Sequence, residues 1–392
     1  MNALGAVMWI AAIPMIVVFA VFISEVALGL FPLRRRAADK GKPFKITILI
    51  PAHNEANGIG QTLARVRSIL PPEASILVVA DNCSDDTAVR ARTDGVEVVE
   101  RSDSLRRGKG YALDFGRTQL SESPPDCVMI LDADCAPEPG TIEALGAAVL
   151  ESARPVQSVN LMRAGSDASP IVQISNFAFL IKNLIRQRGL VRSGGPAMLT
   201  GTGMAFPWPV FEKLALASSN IVEDLAVTVD LTRGGVQPTL VEAARVWSDA
   251  ATAKDTLTQR TRWEHGFIGT AVKHALPTLV SGIQRGQLAS VRLGLHLLVP
   301  PLALLFALGL SLAILFAGLI ALGATPTPML LLLVMMGTSF LLLAIAWWRE
   351  GRALLSFGAI FRIPFYVLWK MPVYLKLFRG AETEWVRTKR SD

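Results

Sequence analysis

Charged residues are scarce in this chain of 392 residues. They make up 18% of it, against roughly a quarter in a typical soluble domain, while hydrophobic residues make up 51%. That balance excludes a simple soluble protein. Cysteine is scarcer still, since the only three are Cys83, Cys127 and Cys135, with no CxxC pair among them. This number and spacing exclude a disulfide-stapled scaffold and favour a reduced, cytosolic setting for that part of the chain.

Two long segments lack charge almost completely. Residues 1–33 carry only Glu25, and residues 293–348 contain no Asp, Glu, Lys or Arg. Each segment exceeds the roughly 20 residues that cross a bilayer as a helix. The basic cluster at 34–36 follows the first segment, whereas a secretory signal carries its basic residues before the apolar run. We therefore predict a retained N-terminal anchor and, divided by a Gly/Pro break at 323–328, a transmembrane hairpin.

The basic residues next to these segments predict an orientation. The clusters at 34–36 and 349–352 and the basic tail at 379–392 should face the cytosol under the positive-inside rule. Residues 43–280 then form a cytosolic domain, and the net charge of +7 has a membrane explanation rather than a nucleic-acid one. The compact organisation and the Ala- and Arg-rich composition favour a bacterial plasma membrane.

The segment 353–378 is apolar but carries Arg362, Lys370 and Lys376. At about 100° per residue these three cations fall within one broad face of a helix. Two interpretations remain open: a helix lying in the membrane interface, which we prefer, and a further membrane span.

The cytosolic segment changes period repeatedly between buried strands and helices. This alternation predicts an α/β domain with a mostly parallel sheet covered on both faces. Ligands of such sheets bind beyond the carboxyl ends of the strands. The predicted strands are 45–50, 75–80, 96–100 and 127–131, and the predicted helices are 58–70, 85–92 and 110–120.

Three of these strands end in polar clusters, at 51–55, 81–86 and 132–134. Asn, Asp and Ser also make ordinary turns and helix caps, and for Asp85 and Asp86 that alternative is equally good. Asp132 and Asp134 differ, because two carboxylates leaving a strand on the same side repel each other unless a cation lies between them. A divalent cation shared with substrate phosphates meets that need.

In order along the chain, seven motifs resemble the membrane-bound enzymes of glycosyltransferase family 2, which include cellulose, chitin and hyaluronan synthases and ceramide glucosyltransferase. The resemblance implies a GT-A fold, Rossmann-like, between N-terminal and C-terminal transmembrane helices. The motifs are IPAHNE at 50–55, VVADNCSDDT at 78–87, RGKGYAL at 107–113, LDAD at 131–134, GTGMAF at 201–206, VED at 222–224 and QRTRW at 259–263.

The resemblance implies a donor site for a UDP-sugar. Glu55 and Asp81 match residues that recognise the uracil and ribose, for which carboxylates supply fixed acceptors. Asp134 matches the aspartate that binds Mg²⁺ or Mn²⁺ on the diphosphate, with Asp132 near the sugar or the metal. Lys109 assists near the diphosphate, although a plain surface lysine explains its position almost as well.

For the acceptor side, the resemblance makes Asp224 the general base, with Glu223 beside it. One base and direct displacement imply inversion at the anomeric carbon. An acidic pair stabilised by a helix N-terminus is the competing explanation.

The remaining acceptor and diphosphate contacts fall on two motifs. In QRTRW, an arginine fork can bind phosphate oxygens and an indole face can stack on a sugar, although an interfacial helix with an anchoring Trp has the same pattern. A glycine-rich turn shapes the acceptor site. The residues concerned are Gln259, Arg262, Trp263, Gly201, Thr202 and Gly203.

The function expected from this sequence is transfer of one sugar from a UDP-sugar to a lipid-linked or membrane-associated acceptor, in surface glycan or exopolysaccharide assembly. Export or biosynthetic proteins are candidate partners. A processive synthase of a β-linked polysaccharide is the alternative, although few spans are predicted for a polymer channel. An inactive scaffold conflicts with the intact acidic motifs. A transporter conflicts with the small number of spans, which lack paired intramembrane charges.

Overall fold

A computed structural model of the protein describes residues 3–33, 44–93, 95–163, 168–217, 223–249 and 253–377. For residues 3, 223, 249, 253–260, 375 and 377 it describes the backbone alone. The basic cluster at 34–36 and the tail at 379–392 lie outside the described residues. The chain divides into two compact units. The apolar unit comprises 1–32, 164–195 and 268–382, and the α/β unit comprises 33–163, 196–267 and 383–392.

Eight strands of the α/β unit form one sheet. They are β1 Ile46–Ala52, β2 Ala74–Asp81, β3 Val96–Arg101, β4 Cys127–Ile130, β5 Cys135–Pro137, β6 Val156–Arg163, β7 Met204–Pro207 and β8 Thr239–Asp249. Their order is β3-β2-β1-β4-β7-β6-β8-β5. The first four are parallel, as are β6 and β8, whereas β7 and β5 run antiparallel to their neighbours. The predicted mostly parallel α/β sheet is confirmed.

The helices of the chain begin and end as follows. They are α1 Ala3–Gly29, α2 Ile59–Ser68, α3 Thr87–Ala91, α4 Lys109–Leu120, α5 Thr141–Ser152, α6 Pro170–Leu180, α7 Gln187–Arg192, α8 Trp208–Phe211, α9 Glu223–Arg233, α10 Ala253–Gln284, α11 Leu288–Leu297, α12 Leu302–Ala321, α13 Thr327–Ala346, α14 Phe357–Ile360 and α15 Ile363–Leu377. Two π-helical segments, Ile181–Arg186 and Trp347–Gly351, continue α6 and α13.

The sheet is buried on both faces because successive side chains of a strand point to opposite sides. Ile48 belongs to the core that contains residues of α2 and α5, and its neighbour Leu49 belongs to the core that contains residues of α4 and α8. The continuous apolar run of β1 is thereby explained. The layers leave the carboxyl ends of β1, β2 and β4 at one edge, where the polar clusters follow.

Within the described residues of the apolar unit, three helices are long and apolar enough to cross a membrane: Leu4–Gly29, Leu302–Ala321 and Thr327–Gly351. The hairpin segment predicted from residue 293 differs at its beginning, because Leu293 lies in α11 and α12 begins only at Leu302. The consecutive prolines Pro300 and Pro301 separate the two helices, since proline lacks the N–H that would continue α11.

The segment 353–378 forms two helices, α14 and α15, rather than one. Pro364 is the second residue of α15, a position where its missing N–H is tolerated. Arg362 and Lys376 are exposed, as expected for an interfacial helix. Lys370 is buried instead, with Nζ 5.3 Å from the centroid of the Tyr366 ring.

Buried charges join helices within the apolar unit. Glu25 of α1 has no exposed surface, and its carboxylate accepts hydrogen bonds from Arg186 Nε at 2.8 Å and from His296 Nδ1 at 2.9 Å. A second buried guanidinium, that of Arg188, pairs with Glu350 at 2.8 Å. Paired charges of this kind belong inside a helix assembly and not against lipid.

Candidate active site

The loops after β1 and β2 are joined by local hydrogen bonds. Asn54 and Asn82 adopt left-handed backbone conformations, with φ of 56° and 52°, which Asn tolerates better than most residues. His53, which shows no metal-ligand spacing in the sequence, bonds through Nδ1 to the backbone carbonyl of Asp81 at 2.7 Å. These bonds place the IPAHNE segment against the end of β2.

Asp81 is 5% exposed and ion-paired. Arg101 Nη1 donates to its Oδ1 at 2.6 Å, and Asn82 Nδ2 donates to the same oxygen at 2.9 Å. The Arg101 guanidinium also lies 5.6 Å from the ring centroid of Tyr111. Sequence reasoning missed Arg101, although a signal existed: β3 is the parallel neighbour of β2, and Arg101 ends it opposite Asp81.

Glu55 directly follows Asn54 in the loop after β1 and is partly exposed. Its backbone N–H donates to Thr87 Oγ1 at 2.7 Å. Asp85 accepts the N–H of Thr87 at 3.0 Å and the N–H of Ala56 at 3.2 Å. Asp85 therefore ties the Glu55 loop to the beginning of α3, which lies at Thr87 rather than at Asp85 as predicted.

Asp132 and Asp134 follow β4 and are both partly exposed. Lys109 Nζ lies at the beginning of α4 and donates to Asp132 Oδ1 at 2.5 Å and to the backbone carbonyl of Gly201 at 2.7 Å. Ligand atoms of Asp132, Asp134 and Cys135 all lie within 4.8 Å of one another.

The donor set fits a hard divalent cation held by the two carboxylates. Cys135 fits less well, because burial raises the pKa of its thiol to about 12 and keeps it protonated at neutral pH. Its Sγ lies 3.3 Å from Asp134 Oδ1 and 3.1 Å from Ser248 Oγ. Mg²⁺ and Mn²⁺ take oxygen ligands, so Asp132 and Asp134 are the candidates.

The turn formed by residues 200–203 meets this cluster. The backbone N–H of Asp132 donates to Thr202 Oγ1 at 3.0 Å. Gly203 has φ of 63°, and a Cβ there would collide with Ser158 Oγ. Gly201 has φ of 79°, and a Cβ on it would lie 3.3 Å from Lys109 Nζ and 3.5 Å from Asp224 Oδ2. The positive φ favours glycine at both positions, and the close approach of Ser158 also requires it at Gly203.

Asp224 lies in the first turn of α9. Its Oδ1 accepts the N–H of Leu225 at 2.8 Å, and its carbonyl accepts the hydroxyl of Thr228 at 2.9 Å. The structure thus brings Lys109, Asp132, Gly201 and Asp224 together from four separate segments. The side chain of Glu223, predicted beside the base, lies outside the described residues.

The QRTRW motif lies on α10. The Arg262 and Trp263 side chains are partly exposed there, whereas the side chain of Gln259 lies outside the described residues. Trp208, another aromatic near the glycine-rich turn, lies in α8 with its ring centroid 6.1 Å from that of Phe211.

The model of the family described as "Glycosyltransferase like family 2" matches residues 43–266, more than half of the chain. The chain belongs to this family. It is a glycosyltransferase, and the predicted membrane-bound kind agrees with its three long apolar helices.

Two relatives extend the comparison. The probable glycosyltransferase YdaM of Bacillus subtilis (strain 168) is 28% identical over 233 residues, which are 57% of this chain and 55% of that protein. This glycosyltransferase therefore matches about half the length of that curated relative. The mannosyltransferase PcManGT from Pyrobaculum calidifontis, solved with GDP-Man and Mn²⁺, has a TM-score of 0.58 and 16% identity. The similarity covers 94% of this chain and 99% of that one, and it confirms the GT-A fold.

Proposed function

We propose that this glycosyltransferase is an inverting, metal-dependent enzyme that moves one sugar from a UDP-sugar to a lipid-linked or membrane-associated acceptor in surface glycan assembly. One observation carries the proposal. Asp132, one of the two carboxylates that suit a divalent cation, bonds to Lys109 and to the 200–203 turn, and Gly201 of that turn lies beside the candidate base Asp224. A donor diphosphate and an acceptor hydroxyl can therefore meet at one place.

On the donor side, Glu55 and Asp81 accept hydrogen bonds from the nucleoside, and Arg101 holds Asp81 in place. Asp134, with Asp132 beside it, holds Mg²⁺ or Mn²⁺, which supplies positive charge to the departing diphosphate. PcManGT was solved with a nucleotide-sugar and Mn²⁺, which supports that class of donor and cofactor. The choice of UDP rests on the resemblance to the synthases.

On the acceptor side, Asp224 accepts the proton of the acceptor hydroxyl as that oxygen bonds to the anomeric carbon. The bond from the anomeric carbon to the diphosphate oxygen breaks, and its electron pair leaves with UDP. Attack from the face opposite UDP inverts the configuration. Gln259, Arg262 and Trp263 contact the diphosphate and the acceptor, and the apolar unit holds the enzyme at the cytosolic face of the plasma membrane, where a lipid acceptor is concentrated.

The experiment measures UDP release by the full chain in lipid nanodiscs with a panel of UDP-sugars, in Mn²⁺ and in EDTA. We expect one donor to be turned over only with metal. Asp224→Asn should lower the rate about 10²- to 10⁴-fold, since it removes the base. Asp134→Ala should abolish metal-dependent turnover and weaken Mn²⁺ binding, measured by calorimetry.

Asp114→Asn is the matched control, because Asp114 pairs with Arg117 on α4 and makes no bond to the site. It should retain wild-type turnover. Turnover that persists in EDTA, or in Asp224→Asn, contradicts the mechanism. GDP-mannose is tested beside the panel. If the enzyme turns over GDP-mannose and none of the UDP-sugars, the choice of UDP is wrong.

A further inference from the structure

Gln157 of β6 is fully buried, yet no motif of the sequence includes it. It lies beside Met204 of β7 and Leu240 of β8 in the sheet. A buried amide without hydrogen bonds is costly, so its partners indicate what it does there.

Gln157 binds both ends of the 200–203 turn. Its Nε2 donates to the carbonyl of Thr202 at 3.0 Å and to that of Ser158 at 2.9 Å. Its Oε1 accepts the backbone N–H of Thr200 at 3.0 Å. One side chain therefore satisfies a donor and an acceptor of the turn. Gly203, at the end of the turn, is held by backbone bonds to Ile130 and Ser158.

The turn that Gln157 holds lies against three residues of the candidate site. Its Gly201 carbonyl accepts Lys109, its Thr202 hydroxyl accepts the N–H of Asp132, and Gly201 faces the carboxylate of Asp224. The nucleoside end is held separately, by the ion pair of Asp81 with Arg101. A shift of the turn would thus change its contacts with Lys109, Asp132 and Asp224 and leave the nucleoside contacts in place.

We propose that Gln157 is the positioning residue of the 200–203 turn, holding it so that an acceptor hydroxyl lies between Asp224 and the donor sugar. The inference rests on the proposed function for its consequence in catalysis. Its structural half, that Gln157 fixes the turn, does not depend on which sugar is transferred.

Three substitutions of Gln157 change the donor and acceptor atoms of its amide in different ways. Gln157→Glu keeps the shape but replaces the Nε2 donor by an oxygen that faces the carbonyls of Thr202 and Ser158, so the contact becomes repulsive. Gln157→Leu removes both the donor and the acceptor of the side chain. Gln157→Asn keeps the amide on a shorter chain and is the conservative variant. Thr141→Val is the matched control, because Thr141 is fully buried and bonds to both backbone groups of Arg245, away from the turn.

Three readouts separate positioning from a general role in stability. Hydrogen exchange of the full chain in nanodiscs should show faster exchange at 200–203 in Gln157→Glu and Gln157→Leu, and not in Thr141→Val. Calorimetry with UDP in EDTA should give a wild-type Kd for the folded variants, because the nucleoside contact at Asp81 does not involve the turn. UDP release with dioleoylglycerol in the nanodisc as acceptor probe should fall roughly 10- to 100-fold, since small displacements near the reacting atoms have effects of that size. Gln157→Asn should recover part of the rate.

A variant that binds UDP normally but keeps wild-type exchange at 200–203 overturns the proposal. So does loss of UDP binding in all three Gln157 variants, because Gln157 would then serve the whole unit rather than the turn. If the wild type transfers no sugar from any donor, the proposed function fails, while the exchange measurement still decides whether Gln157 holds the turn.

Discussion

At the scale of single residues, the ion pair between Arg101 and Asp81 decides the donor end of the site. The Asp81 carboxylate is almost fully buried, and Arg101 supplies its cation through a guanidinium that also lies over Tyr111. Arg101→Met would leave the carboxylate without that cation, at a cost of about 1.5 to 3 kcal/mol for a charged hydrogen bond. We expect UDP binding, measured by calorimetry, to weaken about tenfold or more.

Arg92→Met is the comparison for Arg101→Met. Arg92 pairs with Glu100 at the surface, where both side chains are at least half exposed, and exposed pairs contribute little. The Arg92→Met variant should bind UDP as the wild type does. Equal UDP affinity in Arg101→Met and Arg92→Met would show that Arg101 has no role in the donor site.

The cysteines give a second prediction at this scale. Burial raises the pKa of the thiols of Cys83, Cys127 and Cys135. A thiol pKa above its unfolded value means that folding is stabilised at neutral pH and that this contribution is lost as the pH rises past about 9. Iodoacetamide should therefore alkylate the folded protein slowly at pH 8.5, with Cys83 first because it is the least buried, and the denatured protein rapidly. Mass spectrometry would count the alkylated sites, and rapid alkylation of Cys135 in the folded protein would contradict this order.

At the scale of elements, the N-terminal helix α1 is fixed by charge as well as by apolar packing. Glu25 is paired with Arg186 of a π-helical segment and with His296 of α11. Glu25→Gln would leave Arg186 buried without its anion, and breaking one side of a buried ion pair destabilises by about 3–5 kcal/mol. The melting temperature in detergent should fall by several degrees.

Ser24→Ala is the control for Glu25→Gln. Ser24 is the neighbour of Glu25 on α1 and bonds only to the carbonyl of Val21 in the same helix. Its melting temperature should remain close to that of the wild type. If Glu25→Gln has the same melting temperature as Ser24→Ala, the buried pairing of Glu25 does not stabilise the packing of α1.

At the scale of the whole molecule, the predicted orientation places the loop between α12 and α13 outside the cell and the α/β unit inside. Thr325 lies in that loop, and Glu73 lies in an exposed turn before β2. Thr325→Cys and Glu73→Cys therefore place a thiol on each predicted side of the membrane. A membrane-impermeant maleimide added to intact cells should label the first variant alone, and both after lysis. Labelling of Glu73→Cys in intact cells would show that the predicted orientation is wrong.

Sequence alone determined the parts that depend on local chemistry. The apolar stretches specify the long helices because a bilayer span requires about 20 residues without charge. The strand-to-helix alternation specifies the α/β sheet, and the acidic strand end at Asp132 and Asp134 marks the edge where ligands bind. Boundaries followed the local rules less closely, as at α12, where two prolines precede the beginning, and at α3, which begins at Thr87 and leaves Asp85 in the loop before it.

Only the tertiary structure decided which distant residues meet. Arg101 and Gln157 belong to no motif, and they acquire their partners because the sheet brings β3 beside β2 and β6 beside the 200–203 turn. The assignment of residues 168–192 to the apolar unit likewise follows from packing of α6 and α7. Pairing across a sheet and burial of a charge are long-range properties, so a single sequence read by its local periods does not specify them.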